Sequence, residues 1–166
     1  AASKLQALVD SMSGDCPPQL KLQIRETEVQ RIQLLTTVSK ALKLEQPYQL
    51  VCDYAAMYGQ QELEKSSKER LVHVVNEYLT AIVKRIEKMI QLSEMYIEEF
   101  HNHVHKNQIE IKFGSTTDGS TFSQLSVENG QISLVIPPRY FWFNVSDCAN
   151  KLERIIDHLS ATPTKQ

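Results

Sequence analysis

The segment from Ser66 to His105 contains neither proline nor glycine, and its apolar residues recur in steps of three and four. This spacing is typical of an amphipathic α-helix. A continuous helix of this length would be roughly 50 Å long. The tetrad Ser66-Ser67-Lys68-Glu69 has the spacing of a capping box and predicts where the helix begins. The predicted apolar stripe comprises Leu71, Val75, Tyr78, Ile82, Ile86, Met89, Tyr96, Phe100 and Val104.

Two further helices are predicted before this segment. Residues 20–44 carry Ile32, Leu35, Val38 and Leu42 on one helical face, and Pro47 ends the pattern. Residues 48–63 read as a second helix. The apolar residues of the long helix cover more of its surface than one narrow stripe. We therefore expect it to form a helical hairpin with residues 20–44 and to contact a further helix or another subunit.

Near Asn107 the apolar period changes from helical to alternating. Residues 109–113 alternate apolar and charged side chains, as in a half-buried strand. Asn129-Gly130 predicts a two-residue hairpin turn, because a type I′ turn needs positive φ at both positions. The register that this turn sets pairs Val127 with Ile132, Leu125 with Leu134 and Ser126 with Ser133.

The end of the chain predicts an extended aromatic segment and a last helix. Residues 139–145 are read as a strand after Pro137-Pro138, and Ser146 is the predicted N-cap of the final helix. The predicted fold class is α+β: an N-terminal helical hairpin or bundle with one long helix, then a small antiparallel β-meander and a C-terminal helix. Residues 1–19 are predicted to form a short helix, from Ser3 to Met12, and a linker. Residues 20–106 form the helical region, and 107–162 form the sheet and last helix, packed on the long helix as one structural unit.

Composition restricts the classes of function. The formal net charge is −2, which argues against a strongly cationic nucleic-acid-binding protein. The three cysteines, Cys16, Cys52 and Cys148, form no CxxC pair, so neither a disulfide framework nor a standard zinc site is expected. We interpret Cys52 and Cys148 as small apolar side chains within helices. We therefore expect the protein to reside in a reducing compartment, the cytoplasm or the nucleus. No apolar run approaches the roughly 20 residues of a membrane span, and no membrane contact is expected.

Three residues near the end of the long helix have the spacing of metal ligands. Glu98 and His101 form a Glu-x-x-His pair, and His105 follows on the same face. A bundle di-metal site needs a matching motif on a second helix, and the sequence has none. We therefore interpret these residues as a solvated helix end, where imidazoles lie near the C-terminal carbonyls. No metal site, cofactor or catalytic residue is predicted. A metal-binding helical enzyme that uses Glu98, His101 and His105 is the alternative.

Two surfaces are candidates for binding a protein partner. The first is the long helix, at Ile86, Met89, Tyr96 and Phe100. The second is the aromatic strand, where Tyr140 and Trp142 share one face beside Arg139 and Phe141, Phe143 and Val145 share the other. Tyr, Trp and Arg are the residue types that dominate interface hot spots. The alternative is an ordinary core strand with both faces covered.

The sequence therefore predicts a non-enzymatic protein-protein interaction module, a subunit or scaffold domain of a larger homo- or hetero-oligomeric assembly. This prediction depends on a continuous helix from Ser66 to His105 whose apolar surface exceeds what its own chain can cover. A nucleic-acid-binding module that uses Lys84, Arg85, Lys88 and the aromatic strand is a further alternative, although the net charge argues against it.

Two resemblances point to nuclear assemblies. The helix from Glu69-Arg70-Leu71 through Tyr78-Leu79 to Ile86-Glu87-Lys88 resembles a helix of GINS replication-complex subunits that reads Arg, Tyr-Leu and then Lys-Ile-Glu. The order of a long helix, a small meander and a last helix is similar to the RWD-type ends of kinetochore rod proteins. Both resemblances imply a non-enzymatic subunit of a nuclear assembly. A replication- or kinetochore-type complex subunit with nucleic-acid contact is the corresponding alternative function.

Overall fold

The computed structural model describes residues 16–161. The helix predicted at Ser3 to Met12 lies outside the described residues. Within residues 16–161 the chain forms helices, strands and two 3₁₀ turns, Pro138–Tyr140 and Val145–Asp147. The helices are α1 (Pro18–Ala41), α2 (Tyr54–Tyr58), α3 (Lys65–Glu69), α4 (Leu71–Leu92), α5 (Met95–His103) and α6 (Leu152–Ala161). The strands are β1 (Gln49–Val51), β2 (Gln108–Phe113), β3 (Gln124–Glu128) and β4 (Gln131–Ile136).

Helices α1 and α4 pack against each other as predicted. Val38 and Leu42 lie in the core, whereas Ile32 is 37% exposed, so the predicted face is correct only near the C-terminal end of α1. Further toward the N-terminus, the buried face of α1 includes polar side chains. The α1 residues buried in the structure are Leu20, Gln23, Ile24, Thr27, Arg31, Val38 and Ser39.

The predicted continuous helix from Ser66 to His105 is wrong, and the first break lies at Arg70. Arg70 has φ −118° and ψ 10°, which separates α3 from α4. The predicted capping box does not form, because the N-cap of α3 is Glu64 and Ser66 lies inside the helix. Gln23 bridges the break from α1. Its Nε2 donates to the Lys68 carbonyl at 2.9 Å, and its Oε1 accepts from the Val72 N–H at 3.0 Å.

The second break lies at Ser93, which is extended at φ −160° and ψ 126°. The Ser93 hydroxyl accepts from the Met95 N–H at 3.3 Å, and the Ser93 carbonyl accepts from the Tyr96 N–H at 3.2 Å. Serine can bond the backbone outside a helix in this way, so the chain starts a new helix although the apolar spacing continues. The new direction brings Phe100 into the core.

Residues 48–63 do not form the predicted single helix. They form β1 and the short helix α2, which Asp53 caps by accepting from the Ala56 N–H at 3.1 Å. Tyr48, just before β1, is buried, and its backbone N–H donates to the Ser39 hydroxyl at 2.8 Å. β1 is an edge strand of the sheet, although the sequence pattern favoured a helix at these residues.

The sheet has the order β1-β2-β4-β3. Strands β3 and β4 form the predicted hairpin in the predicted register, and Asn129 and Gly130 have φ of 54° and 77°. The meander is only partly antiparallel, because β2 lies between β1 and β4 and is parallel to both. The residues after β2 carry the chain to the far edge, where β3 pairs with β4 alone.

One core joins the helices and the sheet, so the predicted α+β class is confirmed. The central helix α4 has buried residues on several sides, including Tyr78, Leu79, Ile82 and Ile86. Most of the apolar surface expected on this helix is therefore covered by the chain itself, and among the large apolar residues of α4 only Leu92, at its C-terminal end, is exposed. The ground on which the sequence predicted a binding module therefore does not hold. Among residues 16–161, no helix combines the length and apolar character that crossing a membrane requires.

Candidate interaction surface

The aromatic segment forms an irregular loop, and the predicted strand at 139–145 is wrong. We call residues 137–147 the aromatic loop. Pro138 starts a 3₁₀ turn directly after β4, and a second 3₁₀ turn follows at Val145–Asp147. Ser146 lies in that second turn and does not cap α6, which begins at Leu152. Because Trp142 and Asn144 have positive φ, the side chains do not alternate between two faces as they would in a strand.

Phe141 fixes the aromatic loop to the core. Its ring lies 5.8 Å from the ring of Tyr78 and 5.2 Å from the ring of Phe113, and its side chain is 3% exposed. The next two residues are on the surface, with Trp142 43% and Phe143 53% exposed. The loop therefore buries one aromatic ring and presents the following two to solvent.

The backbone of Trp142 is strained. Its φ is 78°, a region that bulky L-residues rarely occupy. Such a conformation costs on the order of 1–3 kcal/mol and persists only where surrounding contacts enforce it. One such contact is visible: the Trp142 N–H donates to the hydroxyl of buried Tyr78 at 3.0 Å. Asn144 follows in the left-handed region at φ 51°.

Neighbouring rings support the exposed side of the loop. The ring of Phe122 packs edge-on against Tyr140 at 5.4 Å, and Phe143 stacks near Phe122 at 6.3 Å. The guanidinium carbon of Arg139 lies 4.9 Å from the centre of the Tyr140 ring, within the range of a cation–π contact. Arg139 is exposed and Tyr140 is half-buried. Together these residues form an amphipathic aromatic surface.

A cleft adjoins the second 3₁₀ turn of the loop. It has a volume of about 370 Å³ and lies between α4 and residues 145–150. Arg85 donates to Asn150 Oδ1 at 2.7 Å across it, and Asn150 Nδ2 in turn donates to Asp147 Oδ1 at 3.2 Å. We call it the basic cleft. Its lining residues are Glu77, Thr80, Ala81, Lys84, Arg85, Lys88, Val145, Ser146 and Asn150.

The structure divides the predicted contact residues into two groups. Ile86, Met89 and Phe100 are at most 1% exposed and belong to the protein's own core, so they are not available to a partner. Tyr96 is half-buried, and its hydroxyl donates to Asp157 at 2.7 Å. By contrast, Arg139, Tyr140 and Trp142 come together in the aromatic loop. The sequence assigned Phe143 to the face opposite Trp142, and so missed that the two are exposed side by side.

The three candidate metal ligands do not share one helical face. Helix α5 ends at His103, so His105 lies beyond it, with its ring against Gly130. His101 Nε2 is 2.6 Å from the Leu42 carbonyl oxygen. Among residues 16–161, no cluster of three or more His, Cys, Asp or Glu side chains is arranged to hold a metal ion.

The two cysteines assigned to helices lie outside them. Cys52 follows β1, and Cys148 follows the second 3₁₀ turn; both are buried and free. Burial raises the pKa of the Cys52 thiol far above its ordinary value and that of Cys148 to about 12. Cys148 Sγ lies 3.8 Å from the Tyr78 carbonyl oxygen. At neutral pH both are protonated thiols, which are poor nucleophiles.

The stretch that resembles a GINS helix spans the break at Arg70, so its first residues lie on α3 and the rest on α4. Comparisons with protein-family models, with curated proteins and with solved structures found no match to this chain.

Proposed function

We propose that this chain is a non-enzymatic protein-binding subunit that contacts its partner through the aromatic loop. The observation that carries the proposal is the strained backbone at Trp142, which accompanies exposure of Trp142 and Phe143. Folding alone gives no benefit from exposing two large rings on a strained segment. Strained backbone is typical of functional sites, where the surrounding structure enforces it.

The composition of the surface supports a protein partner. Trp, Tyr and Arg are enriched among the residues that contribute most to protein-protein affinity. Phe141 and the Tyr78 hydroxyl hold the loop in place before binding. A preorganised loop loses less conformational entropy on association, so more of the contact energy remains as affinity.

A different protein fits this surface better than a second copy of the chain. A symmetric dimer through the aromatic loop would place equivalent surfaces of both copies around one axis. The basic cleft adjoins the loop, so Lys84 and Lys88 of one copy would approach those of the other. The repulsion between these cations disfavours self-association at low salt. The proposed assembly is therefore hetero-oligomeric.

Cytoplasm or nucleus is the proposed compartment. Cys16, Cys52 and Cys148 are all free thiols, which a reducing compartment preserves.

Selection from a library of random peptides displayed on phage tests the proposed function. Enriched peptides are synthesised with a fluorophore and titrated with the wild-type chain by fluorescence anisotropy. We expect the double substitution Trp142→Ser/Phe143→Ser to weaken their binding about tenfold or more, because it removes both exposed rings.

The matched control is Leu92→Ser/Met95→Ser, which removes two exposed apolar side chains, 64% and 74% exposed, at the break between α4 and α5. Circular dichroism and thermal melting establish that both variants are folded. The proposal fails if no peptide is enriched, or if selected peptides bind the aromatic-loop variant as tightly as wild type. Loss of binding in the control instead would place the interaction surface at the helix break.

A further inference from the structure

We infer that the basic cleft binds aspartate or glutamate side chains of an acidic peptide segment in the partner. This inference rests on the proposed function, because it names the chemistry of the segment that lies beside the aromatic loop.

The first argument is charge. Lys84, Arg85 and Lys88 line the cleft together with one carboxylate, that of Glu77. Three cations against one anion give the lining a formal charge of +2, opposite in sign to the net charge of the whole chain, −2. Within residues 16–161, none of the three cations forms a salt bridge.

The second argument is the arrangement of the cations on α4. Lys84 and Lys88 are four residues apart and therefore adjacent on the helix surface, where like charges repel. Arg85 is oriented across the cleft by its hydrogen bond to Asn150. Glu77 lies two helical turns before Lys84, about 10 Å away along the axis. The positive charge is thus concentrated at one end of the cleft, where an added carboxylate would bridge cations that otherwise repel.

The third argument is the polar and apolar lining. Ser146 offers a hydroxyl donor, and the Asn150 amide that donates to Asp147 has a second hydrogen, while Ala81 and Val145 supply apolar contact. A volume of about 370 Å³ is enough for a few side chains. A nucleic-acid strand is recognised by a continuous basic track, and here the carboxylates of Glu77 and Asp147 border the cations and interrupt such a track. These features favour a short acidic peptide over nucleic acid.

The fourth argument is position. Val145 and Ser146 line the cleft and follow Phe143 within three residues. Three residues of extended chain span at most about 11 Å. A peptide with an apolar residue on the aromatic loop can therefore place an acidic residue three or four positions away in the cleft.

A titration of the full chain with acetylated hexaglutamate amide tests the inference, with hexaglutamine of the same length as control. Binding is followed by amide chemical shifts of ¹⁵N-labelled protein at low salt. We expect shifts at residues 84–88 and 145–150 with hexaglutamate and none with hexaglutamine. We also expect affinity to fall as salt rises, because screening weakens contacts between exposed charges.

Two charge variants sharpen the test. Lys84→Glu/Lys88→Glu should weaken hexaglutamate binding about tenfold or more, since it reverses both exposed lysines. The control Lys21→Glu/Lys106→Glu makes the same change in net charge at two exposed positions outside the cleft and should leave binding within about twofold. Lys84→Gln/Lys88→Gln serves as a second variant if the reversed pair does not fold. Glu77→Gln should strengthen binding, because it removes the one carboxylate from the lining.

The result that overturns the inference is hexaglutamate binding that is undetectable, or equal in the cleft variant and the control. Tighter binding of a twelve-residue oligothymidylate at the same shifted amides would assign the cleft to nucleic acid and also overturn it. Binding of the phage-selected peptides distinguishes failure of this inference from failure of the proposed function. If those peptides still need Trp142 and Phe143 but not Lys84 and Lys88, the proposed function stands and the inference fails.

Discussion

The backbone N–H of Trp142 donates to the hydroxyl of Tyr78 at 3.0 Å, although the two residues are 64 positions apart in the chain. Tyr78 is fully buried on α4, so the bond ties the strained loop to the most enclosed helix of the fold. The same ring packs against Phe141. One tyrosine therefore supports the aromatic loop in two ways, through its ring and through its hydroxyl.

Replacing Tyr78 by phenylalanine keeps the ring and removes the hydroxyl. We expect the free energy of unfolding to fall by about 1–2 kcal/mol, because the Trp142 N–H loses its acceptor. Trp142 is the chain's only tryptophan, so its fluorescence reports directly on the loop. Acrylamide quenching should increase in this variant. Tyr58→Phe removes a hydroxyl that bonds exposed Gln19 at 3.2 Å and should leave the quenching unchanged. Equal quenching in Tyr78→Phe and wild type would show that the bond does not hold the loop.

Buried tyrosines should make the protein sensitive to alkali. Burial raises the pKa of Tyr48, Tyr54 and Tyr78 well above the value of about 10 in an unfolded chain. Above pH 10 the unfolded state loses these phenolic protons while the folded state keeps them. The unfolded state then binds fewer protons, so these tyrosines make stability decrease as pH rises above 10. The raised pKa of the buried Cys52 and Cys148 thiols adds a loss of the same sign that begins about one pH unit lower. Urea unfolding from pH 8 to 11, combined with tyrosinate absorbance, measures this. A flat stability profile above pH 10 would contradict the expectation.

Two glycines with positive φ give a matched pair of substitutions. Gly119→Ala introduces backbone strain alone, because no atom lies within 4 Å of the added Cβ, and should cost about 1–2 kcal/mol. In Gly130→Ala the new Cβ would also lie 2.5 Å from the His105 ring. We expect a loss at Gly130 that is larger by up to about 1 kcal/mol, because the exposed His105 side chain can turn away only by giving up its present rotamer. The excess should disappear in a His105→Ala background, as measured by a urea-unfolding double-mutant cycle. An excess that persists without the imidazole would refute the steric explanation.

Gln23 should be far more important to stability than its position on a polar helix suggests. Gln23→Leu leaves the Lys68 carbonyl and the Val72 N–H without their partner at the break between α3 and α4. The expected cost is about 2–4 kcal/mol, since each unsatisfied buried group costs about 1–3 kcal/mol. Gln33→Leu, at an exposed position on α1, should change stability by less than about 0.5 kcal/mol. Similar unfolding midpoints for the two variants would exclude the bridging role.

Local patterns predicted those parts of the fold in which one chemical requirement dominates. Asn129-Gly130 specified the hairpin because few other residues adopt its backbone angles, and the register followed. The helix predicted at 20–44 and the strand predicted at 109–113 are observed at 18–41 and 108–113, although the period gave the buried face of the helix correctly only near its C-terminal end. By contrast, periodicity did not reveal the breaks at Arg70 and Ser93. Arg70 comes before the first apolar residue of the stripe, Leu71, and the apolar spacing resumes at Tyr96 after Ser93. Gln23 satisfies the first break from another helix, which is a tertiary contact, whereas Ser93 bonds the neighbouring backbone locally at the second.

The sequence indicated which residue types form the candidate surface, but not the backbone conformation of the aromatic loop that presents them. The sequence indicated Arg139, Tyr140 and Trp142 from their chemistry, and these residues do lie together in the aromatic loop. The sequence interpretation assumed that side chains alternate between the two faces of a strand. In the structure Trp142 has positive φ, and Phe143 is exposed beside it. Ile86, Met89 and Phe100 were assigned to a partner because an extended helix would have exposed them. No pattern in the sequence reveals that residues 145–150 close a cleft over Lys84 and Lys88.

The break at Ser93 also has a consequence for the proposed role as a subunit. An unbroken helix would have made it a spacer, holding two neighbours apart over a fixed distance. With the break, the proposed contacts are limited to the aromatic loop and the adjoining basic cleft, so the proposed subunit would bind at one site rather than hold two neighbours apart.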